Sequence, residues 1–466
     1  MLFRSYDDMT GYTGQITAHG GAGGAGPAAV GTVYVKDTGG VGELRIDSHG
    51  TTTGVWTPLG MVDDVQFTVD RLVLSGDGVV VAPIVEIPIV ANQVSILDHA
   101  VLTHRVTTTT QAFSLRMTIA GQLLVDADSR IDVSGRGYVY DRTVGNTTTG
   151  AATAASGGSY GGFGAAGRSG TTCEVYGDYR DPDNVGSGGA GNGSNGGGSG
   201  GGLIRISAGS AVIDGEIRAD GADGIYVYWD HHGGGGSGGG IRLDVGTISG
   251  SGLISVDGGT GSSDQGGSGG GGRVAVYYGA NDGFDLTRVT ARAGAGGAGN
   301  GAVGTIYLKA VGSMGELWID SRGGPAGVWT PLGVADDTRL ELERLVVSGQ
   351  NVVAASHHQM VIQATHVSII NQAVLTHRYT TAVEEHSLRL EVAGQLLVDA
   401  TSKIDVSGRG YIYDHTVGNT TTGAATGASG ASYGGYGAAG RSGATNQAYG
   451  DYLDPACLGS GGAGNG

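Results

Sequence analysis

The amino-acid sequence predicts an all-β protein: a right-handed parallel β-helix (β-solenoid) with long Gly/Tyr-rich loop excursions. Three observations predict it. The stretch GQLLVDADSRIDVSGRG, Gly121 to Gly137, returns as GQLLVDATSKIDVSGRG, Gly394 to Gly410, with two changes in seventeen positions. Shorter echoes, IRISAGSAVIDGEIRADG from Ile204 and IRLDVGTISGSGLISVDG from Ile241, keep the same grammar of alternating apolar residues broken by Gly, Asp and Ser. Alternation with period two is the mark of a half-buried strand, and Gly, Asp and Ser supply the turns. Third, the repetition runs at a constant offset: Trp56 to Trp329, Leu102 to Leu375 and Gly186 to Gly459 are each 273 residues apart. A strand–turn module repeated in tandem winds a solenoid, and right-handedness follows the usual crossover preference.

The offset divides the chain into a first period, residues 1–273, and an incomplete second copy, 274–466. Each period is expected to hold about seven windings, beginning near Arg273, Thr305, Asp336, His357, Ser387, Leu203 and Ile241. Seven strand spacings of about 4.8 Å rise roughly 34 Å. In order, GTVYVKDTGGVGELRID (31–47) reads as a strand pair and GVWTPLG as a bend, with Pro58 outside any strand interior. Residues 65–90 read as strands, with Pro83 and Pro88 at an edge or turn. Residues 94–105 and 114–133 follow as two further windings. From Tyr138 to Gly202 comes an excursion of Gly, Ser, Thr, Ala and Tyr, after which winding resumes at LIRIS. Met1 falls opposite Val274 and Gly466 opposite Gly193, so the chain is expected to be a segment of a longer array.

Composition narrows the class. Glycine is 96 of 466 residues, without a Gly-X-Y period, which excludes collagen. Hydrophobic residues at 39%, in ordered alternation, argue against wholesale disorder. A net charge of −17 with no basic stripe argues against nucleic acid as a partner. No apolar run is long enough to insert in a membrane as a helix. MLFRSYDDMTGYTG lacks the basic start and apolar core of a signal peptide. Cys173 and Cys457 correspond to Asn446 and Asn184, so no repeated disulfide is expected.

The candidate contact residues are aromatic, because tyrosines punctuate the excursion at fixed places and aromatics are poor linker residues. They are Tyr138, Tyr140, Tyr160, Tyr176 and Tyr179, their repeats Tyr411, Tyr413, Tyr433, Tyr449 and Tyr452, and the cluster Tyr226, Tyr228 and Trp229 beside His231 and His232. The glycine tracts are expected to pack as polyglycine-type extended segments rather than serve as linkers. Exposed Tyr and Trp could stack on sugars. Calcium at Asp126, Asp128 and Asp132, or at Asp178, Asp181 and Asp183, is the weaker alternative to turn capping. Asp128 becomes Thr401, Asp183 becomes Ala456, and no calcium-loop spacing is present. No catalytic residue set is expected: Asp63-Asp64 and His104-Arg105 recur once per period, as structural pairs would. The sequons at Asn146, Asn192 and Asn419 read by default as threonine-rich turns.

The runs GGGGRVAVYYGANDGFDLTRVTARAGAGGAG, GTIYLKAVGSMGELWIDS and SYGGFGAAGRSG resemble a pattern found in large, glycine-rich, repetitive bacterial cell-surface proteins of the parallel β-helix type. That resemblance implies an adhesin- or fibre-like molecule, extracellular or on the cell surface, and transfers no catalytic residue or cofactor. The expected function is structural: a fibre segment whose open ends allow head-to-tail or lateral association with itself. The alternative is an adhesin binding surface glycans through its Gly/Tyr loops, and a polysaccharide lyase or hydrolase comes after both.

Overall fold

The structure, a computed structural model, describes residues 14–23, 26–51, 53–191, 196–226 and 232–464. It is all-β with long parallel sheets, and the helical content among these residues is one 3-10 turn at Leu286–Arg288. Contacts group the chain into two compact units, Met1–Thr330 with Ser348–Val352, and Pro331–Val347 with Val353–Gly466. This division does not follow the 273-residue period, whose boundary meets the strand Arg273–Asp282 at its first residue.

In the first unit the chain alternates between two sheets. The long strands lie in the order Val33–Val35, Glu43–Asp47, Phe67–Ser75, Ile89–Leu97, Leu115–Val125, Leu203–Ile213, Gly240–Ser249, Arg273–Asp282, Thr305–Ala310 and Glu316–Asp320. From Glu43–Asp47 to Thr305–Ala310, the chain adds one short strand to a 7-stranded sheet between each long strand and the next, from Thr57–Leu59 through Arg130–Asp132 to Val289–Thr290. Like residues therefore stack on like. Val81, Leu102, Ile131, Ile217, Ile254 and Val289 pair in register down the short sheet, and all are fully buried. In the long sheet the matching column is Leu72, Val94, Leu123, Ala211 and Ile248. Each such aliphatic side chain contributes about 1.5–3 kcal/mol by burial, and a one-residue slip in any strand would turn its whole set outward.

Three details depart from the expectation. The strand pair at 31–47 is an antiparallel hairpin, and so is its repeat, Thr305–Ala310 with Glu316–Asp320. The Tyr307 hydroxyl closes the repeat hairpin by donating to Met314 O at 3.0 Å, over Gly315 at φ +94. The hairpin adds a strand to the long sheet, so one period there spans eight spacings, about 38 Å, while the short sheet keeps seven strands. Pro58 is the middle residue of Thr57–Leu59, which ends the short sheet, where a missing N–H is tolerated. Gly121, which opens the long repeated motif, lies at a β-bulge: the register against Leu203–Ile213 shifts between Ile119 and Gln122.

The second unit repeats the pattern. Val361–Ile370 pairs in parallel with Arg389–Val398, with the same bulge, and Val353–Ser356, Val374–Thr376 and Lys403–Ile404 form its short ladder.

Candidate contact site: the glycine-rich excursion

In the first unit the glycine tracts form a hydrogen-bonded slab of extended segments. The segment 234–239 shows its rule. Gly234 and Ser237 donate to Ala190 O and Ser187 O, Gly235 and Gly238 to Gly267 O and Gly270 O, and Gly236 and Gly239 to Ala222 O and Ala219 O, at 2.7–3.0 Å. Every third N–H returns to the same neighbour. That is the period of a three-residue-per-turn extended helix of the polyproline II type, with each backbone donor taken up by an adjacent segment instead of water. The segments approach so closely that a side chain has no room. A Cβ on Gly236 would sit 2.0 Å from Ser199 O, and one on Gly238 1.9 Å from Val256 O.

The excursion is fastened to the long sheet by a charged clasp. Arg116, Arg205 and Arg242 stand in register on three neighbouring strands. Asp181 accepts from Arg205 Nη1 at 2.6 Å and Arg242 Nη1 at 2.8 Å, and Asp183 accepts from Arg116 Nη2 at 2.7 Å. Burial pushes the Asp181 carboxyl up, but hydrogen bonds and charge from the two arginines outweigh this and hold it below the usual carboxylate range. Three of the other proposed calcium ligands are also engaged. Asp126 accepts from the Asp98 N–H at 2.7 Å and the Asp128 N–H at 3.3 Å, Asp132 from the Ser134 N–H at 2.9 Å, and Asp178 from the Arg180 N–H at 2.8 Å. Among the described residues no group of three or more His, Cys, Asp or Glu is gathered to hold a metal ion.

The tyrosines divide by position. Tyr138, Tyr160 and Tyr179 are buried, and Tyr176 is largely covered. The Tyr160 and Tyr176 rings lie 4.8 Å apart, and the buried Arg273 guanidinium sits 5.5 Å over Tyr160 while its Nε donates to Tyr176 O at 2.9 Å. Tyr176 donates to Val185 O at 2.7 Å, and Tyr179 meets the Tyr307 ring at 5.5 Å. Burial pushes the Tyr138, Tyr160 and Tyr176 hydroxyls up and the Arg273 guanidinium down. These four tyrosines are internal packing, which corrects their reading as outward contacts: the excursion folds back over the sheet and encloses them. Tyr140 and Tyr226 are exposed, while Tyr228, Trp229 and His231 lie outside the described residues. In the second unit Tyr411 is buried and Tyr433 meets Tyr449 edge-on at 5.1 Å, whereas Tyr413 and Tyr452 are exposed, as is Tyr436, which repeats Phe163.

The recurring charged pairs serve the backbone. Asp64 accepts from the Met61 N–H at 2.7 Å, and Asp337 from the Val334 N–H at 2.9 Å. His104 Nδ1 lies 2.7 Å from Arg105 O, and its Nε2 accepts the Leu203 N–H at 3.4 Å, which fixes the neutral tautomer. Burial lowers its pKa to about 4, against the bond to Arg105 O and with help from the Arg136 charge. The sequon side chains are also in use: Asn146 Nδ2 donates to Thr108 O at 3.0 Å, and Asn419 Nδ2 to Thr381 O at 2.9 Å. Asn192 lies outside the described residues. Cys173 is buried and accepts the Ser159 N–H at 3.1 Å, and both cysteines are free.

The clasp arginines and Arg273 escaped the sequence reading, although LRM, IRI and IRL place an arginine at the same outward step of three strands. No known family, curated protein or solved structure matches this chain.

Proposed function

We propose that the chain is a structural segment of an extracellular or cell-surface fibre, wound as a right-handed parallel β-solenoid and stiffened along one side by the glycine slab. The observation that carries this reading is the register-matched stack of like residues in the first unit, with the excursion bonded into it rather than held out as a recognition loop. A continuous ladder resists axial extension because each level shares backbone bonds with the next. The charged pairs that an enzyme would need are committed to turns and clasps, so the reading is non-catalytic.

Growth would proceed through strand edges, which template further pairing. Among the described residues Val33–Val35 is the last strand of the long sheet on one side. In the second unit Arg389–Val398 exposes Leu396 and Val398, whose counterparts Leu123 and Val125 are fully buried. A contact between two different edges does not close on itself and so makes a filament. Sedimentation velocity over a concentration series, with electron microscopy of the same samples, tests this. Unbranched filaments that lengthen with concentration support the proposal, and monodisperse particles at every concentration remove the polymer from it.

A further inference from the structure

Beside the first copy's short sheet, the first unit contains a cavity of about 610 Å³ whose lining includes Trp56, Val80, Thr103, Arg105, Val106 and Arg136. It spans several levels of the sheet: Trp56 immediately precedes Thr57–Leu59, Val80 opens Val80–Pro83, Thr103 follows Val101–Leu102, and Arg136 lies just beyond Arg130–Asp132. The charge of this wall is opposite to that of the chain as a whole. The chain carries a net charge of −17, yet two arginines and no carboxylate line the cavity. Trp56 is 43% exposed, which leaves part of a large aromatic ring uncovered.

Both guanidiniums are held in place. Arg105 Nη1 donates to Ile84 O at 3.0 Å, with the group 5.1 Å over the Phe113 ring, and Arg136 Nη1 donates to His104 O at 2.7 Å. A guanidinium has five N–H donors in a fixed fork, so a single tether orients the plane and leaves donors for a ligand. Fixing it beforehand removes part of the ordering cost of binding. The second copy does not repeat these conditions. There the Trp329 ring is packed 5.0 Å from Phe163. Val106 is replaced by Tyr379, and the Arg409 guanidinium lies 4.1 Å over that ring.

We propose that this cavity binds a carboxylated sugar, a uronic- or sialic-acid residue, with its ring on Trp56 and its carboxylate on Arg105 and Arg136. The planar fork matches a carboxylate in two-point geometry, and the indole offers an apolar platform for the C–H face of a sugar ring. A single sugar residue or a disaccharide fits the volume. The inference stands apart from the fibre reading, since the cavity lies within one unit and needs no second molecule.

The test is isothermal titration of the full chain with methyl glucuronide and with N-acetylneuraminic acid, beside the methyl ester of the glucuronide and AMP. Saturable binding of at least one acid is expected, weakened by salt and by at least about tenfold in Arg105→Gln, the loss expected for a charge-assisted hydrogen bond. The neutral ester should fail to bind. Trp56→Ala should weaken the acid similarly, and Trp56→Phe, which keeps an aromatic wall, should retain part of the affinity should the alanine variant fold poorly. Equal binding of acid and ester, unchanged affinity in Arg105→Gln, saturable binding of AMP alone, or no saturable response to either acid would each overturn the assignment.

Discussion

Within this chain the two copies place one position of the repeat in two different surroundings. Gly161 and Gly434 occupy the same position of the repeat, within SYGGFGAAG and SYGGYGAAG. A Cβ on Gly161 would lie 2.0 Å from Gly272 O, whereas one on Gly434 would meet nothing within 4 Å. Ordinary contact begins at 3.4 Å, so Gly161→Ala must push a neighbouring segment by about 1.4 Å, a distance that follows from van der Waals contact alone. The Gly161 and Gly162 N–H groups both donate to Gly271 O, at 3.1 and 2.9 Å, and that shift breaks them. Overpacking costs about 1–3 kcal/mol, and each lost hydrogen bond adds about 1 kcal/mol. The expected loss is therefore about 4 kcal/mol, or a fall in Tm of about 6 °C for a unit of this size. Gly434→Ala should lie within about 0.5 kcal/mol of the parent, or gain slightly from a stiffer unfolded chain. Differential scanning calorimetry reads both, and amide exchange over residues 157–165 and 267–272 locates the change. Equal tolerance of the two substitutions would falsify the packed slab and return the tracts to linker.

His104 makes the first unit sensitive to acid. Its pKa is about 4 folded against 6.5 unfolded, so the unfolded chain binds the extra proton. Its contribution is complete above pH 6.5, falls as pH drops toward 4 and is gone below it. The span is about 3 kcal/mol, and urea melts across that range should flatten in His104→Gln. Asp181→Asn leaves Arg205 and Arg242 without their shared carboxylate. Because Asp181 is half exposed, the loss should be about 1 kcal/mol and shrink in salt, with amide exchange rising over residues 176–185. Calcium or EDTA should leave Tm unchanged, because Asp126, Asp178 and Asp181 are occupied by backbone N–H groups and arginines and, among the described residues, no three candidate ligands gather. A shift of several degrees would contradict that assignment.

Much of the fold was legible because alternation reports which face of a strand is buried. Leu123, Val125 and Ile131 in the opening motif are all fully buried, and long strands begin at Arg273, Thr305 and Leu203 as expected. The hairpin's effect on the long sheet was not legible, since alternation carries no sign of strand direction. Pro58 was misplaced because a proline rule for strand interiors does not apply at a sheet's last strand. The site was the harder part. Polyglycine has no side-chain pattern from which to read a neighbour, and its partners lie far apart in sequence, as Gly158 and Gly235 do. Aromatics in such a segment look like surface contacts until the segment is seen folded onto the sheet, as Tyr160 and Tyr176 show. The clasp was hidden for a related reason: Asp181 meets Arg242 across 61 residues.

The most direct test of the central claim is cryo-electron microscopy of the purified chain, with the axial spacing read from its power spectrum. A fibre-forming solenoid predicts rods with a strong layer line near 4.8 Å along the axis and, in longer assemblies, density from one glycine slab per period on the same flank. Particles with no axial 4.8 Å spacing, or with strands running along the long axis, would contradict the account.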